Sequence, residues 1–183
     1  IEAGAFDDSD NHALAPFGIF NDMLYVGTHN FVDGMEIWRS ATGDAGDWMR
    51  VVTGGNGDVD AYLTTGFTEF QDAFYAAVEN MTDGAEIWRT EDGLEWTRVS
   101  TGGFSDSNNT QTGGFAIFEG ELYVGTLNVV TGAQLFRSAD GVVWERVVED
   151  GFGDINNFKI EMVFSYGGKL YVGADNNITG IEI

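Results

Sequence analysis

Four times along this 183-residue chain an aspartate alternates with a second oxygen-bearing side chain: Asp8-Ser9-Asp10, Asp58-Val59-Asp60, Asp106-Ser107-Asn108 and Asp154-Ile155-Asn156. Alternation puts an oxygen ligand on every second residue of a loop, which suits a hard cation such as calcium. No glutamate follows at the distance that would close an EF-hand loop. The same side chains also suit a structural use, because Asp and Asn accept backbone amide hydrogens and shape long connections as Asx-turns. The two uses are compatible, and both stand at this point. A second set of loops opens on Asn30, Asn80, Asn128 and Asn176, which makes these amides candidate ligand contacts.

Two residues break an otherwise regular pattern. Lys159 stands opposite Gln111 and Leu63, and Glu161 opposite Gly113 and Thr65. One active site needs unique residues, so this pair is a candidate for touching a ligand; a surface ion pair is the plainer reading. His12 and His29 occur once each and carry no metal-site spacing. The sequence holds no nucleophile elbow, no phosphate-binding glycine loop and no histidine-based metal motif.

The elements that must position these residues come from a repeat. Tyr25-Val26-Gly27-Thr28 returns as Tyr75-Ala76-Ala77-Val78, Tyr123-Val124-Gly125-Thr126 and Tyr171-Val172-Gly173-Ala174, at spacings of 50, 48 and 48 residues. Thirteen residues after the first three tyrosines comes Trp38, Trp88 or Phe136, each followed by Arg, and a second aromatic follows at Trp48, Trp96 and Trp144. A fixed period of 40–50 residues means stacked, near-identical units. Each unit reads as four short strands separated by turn residues. The tight turns Asn21-Asp22, Gln71-Asp72, Glu119-Gly120 and Gly167-Gly168 join the first strand to the second.

Four strands per repeat, with no helical periodicity, predict an all-β β-propeller of four-stranded antiparallel blades, about 48 residues each. A β-solenoid is the alternative, although its coils are usually shorter. The blades fall at approximately 17–53, 67–101, 115–148 and 163–183, the last incomplete, with 1–16 as an incoming crossover loop. Ile1-Glu2 aligns with the end of a fourth strand, so the sequence reads as roughly 3.5–4 blades of a larger propeller. On that strand order the crossovers and the second turns share one face. That face gathers the Asp-x-Asp/Asn loops and the four asparagines.

The third turn carries a resemblance. Ser138-Ala139-Asp140-Gly141-Val142-Val143-Trp144 and Thr90-Glu91-Asp92-Gly93-Leu94-Glu95-Trp96 resemble the Asp-box (BNR) hairpin of sialidase-like propellers, one residue short and without its Thr. The copy from Ser40 to Trp48 departs further, with Thr42-Gly43 where Asp-Gly is expected. The wider repeat resembles extracellular bacterial propeller proteins. The resemblance implies a folding role: the Asp accepts turn amides and the Trp packs between strands. It implies no catalytic residue. Arg39, Arg89 and Arg137 invite comparison with the arginine cluster of sialidases, but their repetition, like that of Arg50, Arg98 and Arg146, predicts inter-strand salt bridges.

Thirty acidic residues against eight basic ones give a net charge of −22. Such a surface repels nucleic acid and anionic membranes, and no apolar run approaches the roughly 20 residues of a membrane-spanning helix. With no Cys, disulfides and thiolate metal sites are excluded. The expectation drawn from charge and near-identical blades is a non-enzymatic extracellular or cell-surface scaffold. It would bind a protein or glycan partner through the Asp/Asn face, with calcium as its one candidate cofactor and self-assembly through the incomplete blade. The alternative is part of a sialidase-like glycoside hydrolase or lyase.

Overall fold

The computed structural model describes residue 6, residues 8–148 and residues 150–183. The expected strand end at Ile1-Glu2 and the crossover position Asp7 lie outside the described residues.

The chain is all-β, with curled antiparallel sheets. Strands β1 (Ala13–Phe20), β2 (Met23–His29), β3 (Ile37–Ser40) and β4 (Met49–Val52) pair in sequence order. The second repeat does the same with β5 (Ala61–Phe70), β6 (Ala73–Asn80), β7 (Glu86–Thr90) and β8 (Thr97–Ser100). The third uses β9 (Gln111–Phe118), β10 (Glu121–Leu127), β11 (Leu135–Ser138) and β12 (Glu145–Arg146). The fourth follows with β13 (Asn157–Tyr166), β14 (Lys169–Asn176) and β15 (Gly180–Glu182). Single bridges, His29↔Leu63 and Leu127↔Lys159, tie β2 to β5 and β10 to β13. The first strands of successive repeats pack against one another, so β1, β5, β9 and β13 form the inner edge.

The tight turns explain the register. Asn21 (φ 49) and Asp22 (φ 57), like Gln71 (φ 49) and Asp72 (φ 59), hold positive φ at both central residues. That backbone matches the right-handed twist of the flanking strands. It fixes Phe20 opposite Met23 and hence the whole alternation behind it.

The core lies between repeats. Phe20, Tyr25, Met35 and Ile37 of the first repeat meet Phe74, Ala76, Trp88 and Trp96 of the second. Phe70, Tyr75 and Ile87 then meet Leu122, Val124 and Phe136 of the third. The second strands of the first three repeats are therefore buried on both faces, which is why Tyr-Val-Gly-Thr reads as a continuous apolar run. Each fully buried side chain of this size contributes roughly 2–3 kcal/mol, so the repetition of Tyr and Trp is a packing requirement.

The third turns use a common device. Asp92 Oδ1 accepts the amides of Leu94 (2.8 Å) and Glu95 (3.0 Å), while Thr90 Oγ1 donates to it at 3.1 Å. Asp140 does the same with Val142 and Val143, both at 2.8 Å, and with Ser138. In the first repeat the carboxylate comes from Asp47, across the two-residue insertion. It accepts Ser40 Oγ at 2.6 Å and the amides of Ala41 and Thr42 at 2.9 Å. The function of the missing Asp is thus supplied from the far side of the loop.

Candidate functional site

The Asp-x-Asp/Asn crossovers and the loop asparagines meet, and they meet each other. Asn30 Nδ2 donates to Asp8 Oδ2 at 3.1 Å, and Asn80, Asn128 and Asn176 donate to Asp58, Asp106 and Asp154 at 3.3, 3.0 and 3.3 Å. The other oxygen of each aspartate accepts the amide two residues on, at Asp10, Asp60, Asn108 and Asn156. The asparagine Oδ1 atoms close the second turns by accepting two backbone amides each, as Asn128 does from Val130 and Thr131. Asn30, Asn80 and Asn128 are fully buried. The repeated polar residues therefore latch each crossover to the neighbouring turn. Only in the first repeat do three carboxylates gather among the described residues: Asp8, Asp10 and Asp33 each offer an oxygen within 4.8 Å of the others.

Beneath each of the first three latches sits a buried carboxylate or amide. Glu36 accepts Asn11 Nδ2 and Trp38 Nε1, both at 2.8 Å, and pairs with Arg50 at 2.5 Å. Glu86 accepts Trp88 Nε1 at 2.7 Å and pairs with Arg98 at 3.2 Å. Burial pushes the Glu86 carboxyl up, against the pull of Trp88 and Arg98. In the third repeat Gln134 stands in this place and accepts Asn109 Nδ2 at 2.8 Å. Arg89 meets Tyr75 Oη (3.0 Å) and Glu91 (2.8 Å), whereas Arg137 meets Glu121 and Glu145, both at 3.2 Å. These arginines hold the outer hairpins and do not converge on a ligand.

What does converge is the set of residues that break the repeat. At the starts of the first strands, Leu63, Gln111 and Lys159 replace one another, as do Tyr62, Thr110 and Phe158 one place earlier. At the ends of the second strands, His29, Glu79, Leu127 and Asp175 replace one another. Glu79 accepts Tyr62 Oη at 2.6 Å and Gln111 Nε2 at 2.5 Å. Burial raises the Tyr62 hydroxyl pKa, and the bond to Glu79 raises it further. His29 packs edge-on to Phe31 with ring centroids 4.1 Å apart, and Phe31 stacks on Tyr62 at 4.7 Å. Burial lowers the His29 pKa, which keeps the ring neutral near pH 7, and its Nε2 has no hydrogen-bond partner among the described residues.

Gln111 leads from this cluster into an open cavity of about 290 Å³, lined also by Thr65, Thr112, Lys159 and Glu161. Thr65 and Thr112 share a hydroxyl hydrogen bond of 3.0 Å, and Lys159 Nζ sits 2.6 Å from Glu161. Lys159 and Glu161, singled out from the sequence, thus lie on the cavity wall. Sequence reasoning passed over Tyr62, Glu79 and Gln111 and set His29 aside. Comparing every repeat-equivalent position, at second-strand ends as well as before first strands, would have found them.

No family model matches this chain, and no curated protein matches it. Solved structures do share its fold. An α-L-arabinofuranosidase from Clostridium thermocellum superposes with a TM-score of 0.53 at 12% identity, covering 92% of this chain and 66% of that one. A glycosyl hydrolase from Bacteroides ovatus gives 0.55 at 8% identity, covering 87% and 58%. Sucrose-6-phosphate hydrolase from Lactobacillus gasseri gives 0.53 at 12% identity, covering 88% and 39%. The chain spans less than two thirds of the length of each. These folds are β-propeller glycosidases. The expectation of a non-enzymatic scaffold is corrected by them: these solved structures that share its fold are glycoside hydrolases. In the structure Asp8, Asp58, Asp106, Asp154 and the four loop asparagines are spent on internal hydrogen bonds, whereas Gln111, Lys159 and Glu161 line a cavity.

Proposed function

We propose that this chain is part of a glycoside hydrolase-type β-propeller and that the cavity at its inner strands binds an uncharged saccharide. Each antiparallel meander is one blade on this reading, and the third-turn hairpins are Asp-box hairpins that hold blade edges. The observation that carries the proposal is the convergence of Gln111, Lys159 and Glu161 on one cavity, with Gln111 bonded to Glu79 behind it. Saccharides are recognised by dense, paired donors and acceptors, which these four side chains and the threonine hydroxyls supply. The volume, about 290 Å³, sits at the lower end of small-ligand sites and fits a single sugar ring. Phe31, exposed beside Tyr62, offers an aromatic face of the kind that sugars stack upon.

Glycoside hydrolysis uses two carboxyl groups flanking the scissile bond, one to protonate the leaving oxygen and one to act as base or nucleophile. Glu161 and Glu79 are the carboxylates this chain places at and next to the cavity. Lys159 orients Glu161, while Tyr62 and Gln111 orient Glu79. Arg89 and Arg137 are committed to outer hairpins and Arg50 and Arg98 to Glu36 and Glu86, and no arginine lines the cavity, so a neutral sugar suits it better than an anionic one. The test is release of reducing ends from a panel of neutral oligosaccharides by the intact protein. Activity reduced at least about a hundredfold in Glu161→Gln, with folding unchanged, supports the reading, since charged hydrogen bonds are worth roughly 1.5–3 kcal/mol before any acid–base role is counted. Activity untouched by Glu161→Gln and by Glu79→Gln refutes it.

A further inference from the structure

The junctions between successive repeats give an internal standard for what joins them, and one junction departs from it. The end of β2 meets the start of β5 as His29 against Leu63, and the end of β10 meets the start of β13 as Leu127 against Lys159. Each of these has an apolar side chain on one side, so no side-chain hydrogen bond crosses it. The repeat-equivalent junction of β6 and β9 sets Glu79 against Gln111, and there a carboxylate bonds an amide. Two junctions form without such a bond, so the fold does not require the third to have it.

The bond decides which way the Gln111 amide faces. A carboxylate only accepts hydrogen bonds, whereas a glutamine amide has a donating Nε2 and an accepting Oε1. Both Glu79 oxygens are taken: Oε1 accepts the Tyr62 hydroxyl at 2.6 Å, and Oε2 accepts Gln111 Nε2 at 2.5 Å. Turning the amide over would set carbonyl against carboxylate, acceptor on acceptor. Tyr62 is buried and stacks on Phe31, so the hydroxyl that anchors Glu79 is itself held.

Gln111 lines the cavity and Glu79 does not. Gln111 Oε1 has no partner among the described residues and is not sealed from solvent, so the group left open at the cavity is a carbonyl oxygen. The rest of the wall has the same sense. Glu161 brings further acceptors, while Lys159 spends a donor on it at 2.6 Å, and the Thr65 and Thr112 hydroxyls share a bond of 3.0 Å.

We propose that Gln111 is a specificity-determining residue that accepts a hydrogen bond from a saccharide hydroxyl, and that Glu79 is the positioning residue that holds its carbonyl toward the cavity. The role of Gln111 rests on the saccharide reading of this cavity; the lock between Glu79 and Gln111 does not. A free amide can turn to suit either a donor or an acceptor, but a locked one cannot. The sugar that fits therefore carries a free hydroxyl where it meets Gln111. A group there with no proton to give leaves the carbonyl unpaired, which is how a built polar site rejects a near-isostere.

Two measurements on the intact 183-residue chain separate the lock from the ligand. In ¹⁵N-labelled protein without ligand, the Gln111 side-chain amide protons should lie downfield of those of Gln71. Gln71 Nε2 donates to a neutral carbonyl, Ala139 O, at 2.8 Å, and bonds to a carboxylate are shorter and stronger. The difference should vanish in Glu79→Ala. The second measurement titrates the methyl glycosides of glucose, mannose, galactose, xylose and arabinose beside their monodeoxyfluoro analogues, whose fluorine cannot donate. For a glycoside that binds, the wild-type chain should bind one of its fluoro analogues about tenfold more weakly. Glu79→Gln, whose new amide can donate as well as accept and so lets Gln111 turn, should cut that difference to within about twofold. In a Gln111→Ala background Glu79→Gln should change nothing, because Glu79 acts through Gln111. A Gln111 amide that resembles Gln71, or a discrimination unchanged in Glu79→Gln, overturns the inference and leaves the saccharide reading standing. A lock present in the free protein with none of the glycosides bound overturns the saccharide reading, and the role of Gln111 with it.

Discussion

Replacing Asn128 by Ala separates a latch from a ligand contact. The Asn128 amide is fully buried and makes four hydrogen bonds. Its Nδ2 donates to Asp106 Oδ2 and Asn109 Oδ1, both at 3.0 Å, and its Oδ1 accepts the amides of Val130 and Thr131 at 3.0 and 2.9 Å. Truncation leaves Asn109 Oδ1 with Thr126 Oγ1 at 3.0 Å and Asp106 Oδ2 with only a 3.4 Å contact from Gln134. The two buried losses cost about 1–3 kcal/mol each, and the two loop amides, which water can reach, about 0.5–1 each. The sum is roughly 3–8 kcal/mol, or a fall in Tm on the order of 10–20 °C for a chain of this size. Asn128→Asp should be worse than Asn128→Ala, because it sets a second carboxylate against Asp106. Asn177→Ala, on an exposed neighbour, should stay within about 0.5 kcal/mol. Urea unfolding followed by circular dichroism, with equal slopes for all variants, gives the differences. If Asn128→Ala lost less than about 1 kcal/mol, the latch would not hold the crossover, and the argument from buried satisfaction would fail.

Acid should unfold the protein through its hairpins. Asp92 and Asp140 are held below the ordinary carboxylate value by the amides of Glu95 and Leu94 and of Val143 and Val142, and Asp154 by the amide of Asn156. An acid with a lowered folded pKa stabilises fully above its unfolded value and loses that contribution as pH falls through the folded one. The urea midpoint should therefore drop below about pH 5, and Asp140→Asn should flatten the drop. Gly141→Ala drives a methyl to within 2.0 Å of Tyr75 Oη at a left-handed φ and should cost several kcal/mol, whereas Gly43→Ala, with nothing nearer than 3.6 Å, should cost about 1 kcal/mol for backbone alone; equal losses in the two melts would deny the close packing of Tyr75 on Gly141. In calcium titrations any rise in Tm should trace to Asp8, Asp10 and Asp33, since only there do three carboxylates gather among the described residues; a rise that survives Asp33→Asn would contradict this.

The repeat, its strands and their order were legible because period, turn residues and aromatic spacing all point to one arrangement. Trp88 and Trp96 fill the space between meanders, and Arg50 and Arg98 repeat because each pairs with a buried glutamate, Glu36 or Glu86. The latches were half legible: the Asp and Asn residues are conspicuous, but that they bond to each other depends on a crossover folding back over the neighbouring turn. Asp47 was not legible as the substitute for a missing turn aspartate, since an insertion separates it from its partners in sequence. Glu79 and Tyr62 were hidden for a related reason. Each belongs to a different row of the repeat, and only the inner strands bring those rows together.

On the proposed function, ligand meets the unrepeated residues Gln111, Lys159 and Glu161 at the inner strands. Amide chemical shifts of ¹⁵N-labelled protein titrated with neutral oligosaccharides test it most directly. The predicted result is saturable shifts at Gln111, Thr112, Gly113 and Glu161, absent from Glu161→Gln. Shifts confined to the crossover loops around Asp58, Asp106 and Asp154, or persisting in Glu161→Gln, would contradict it.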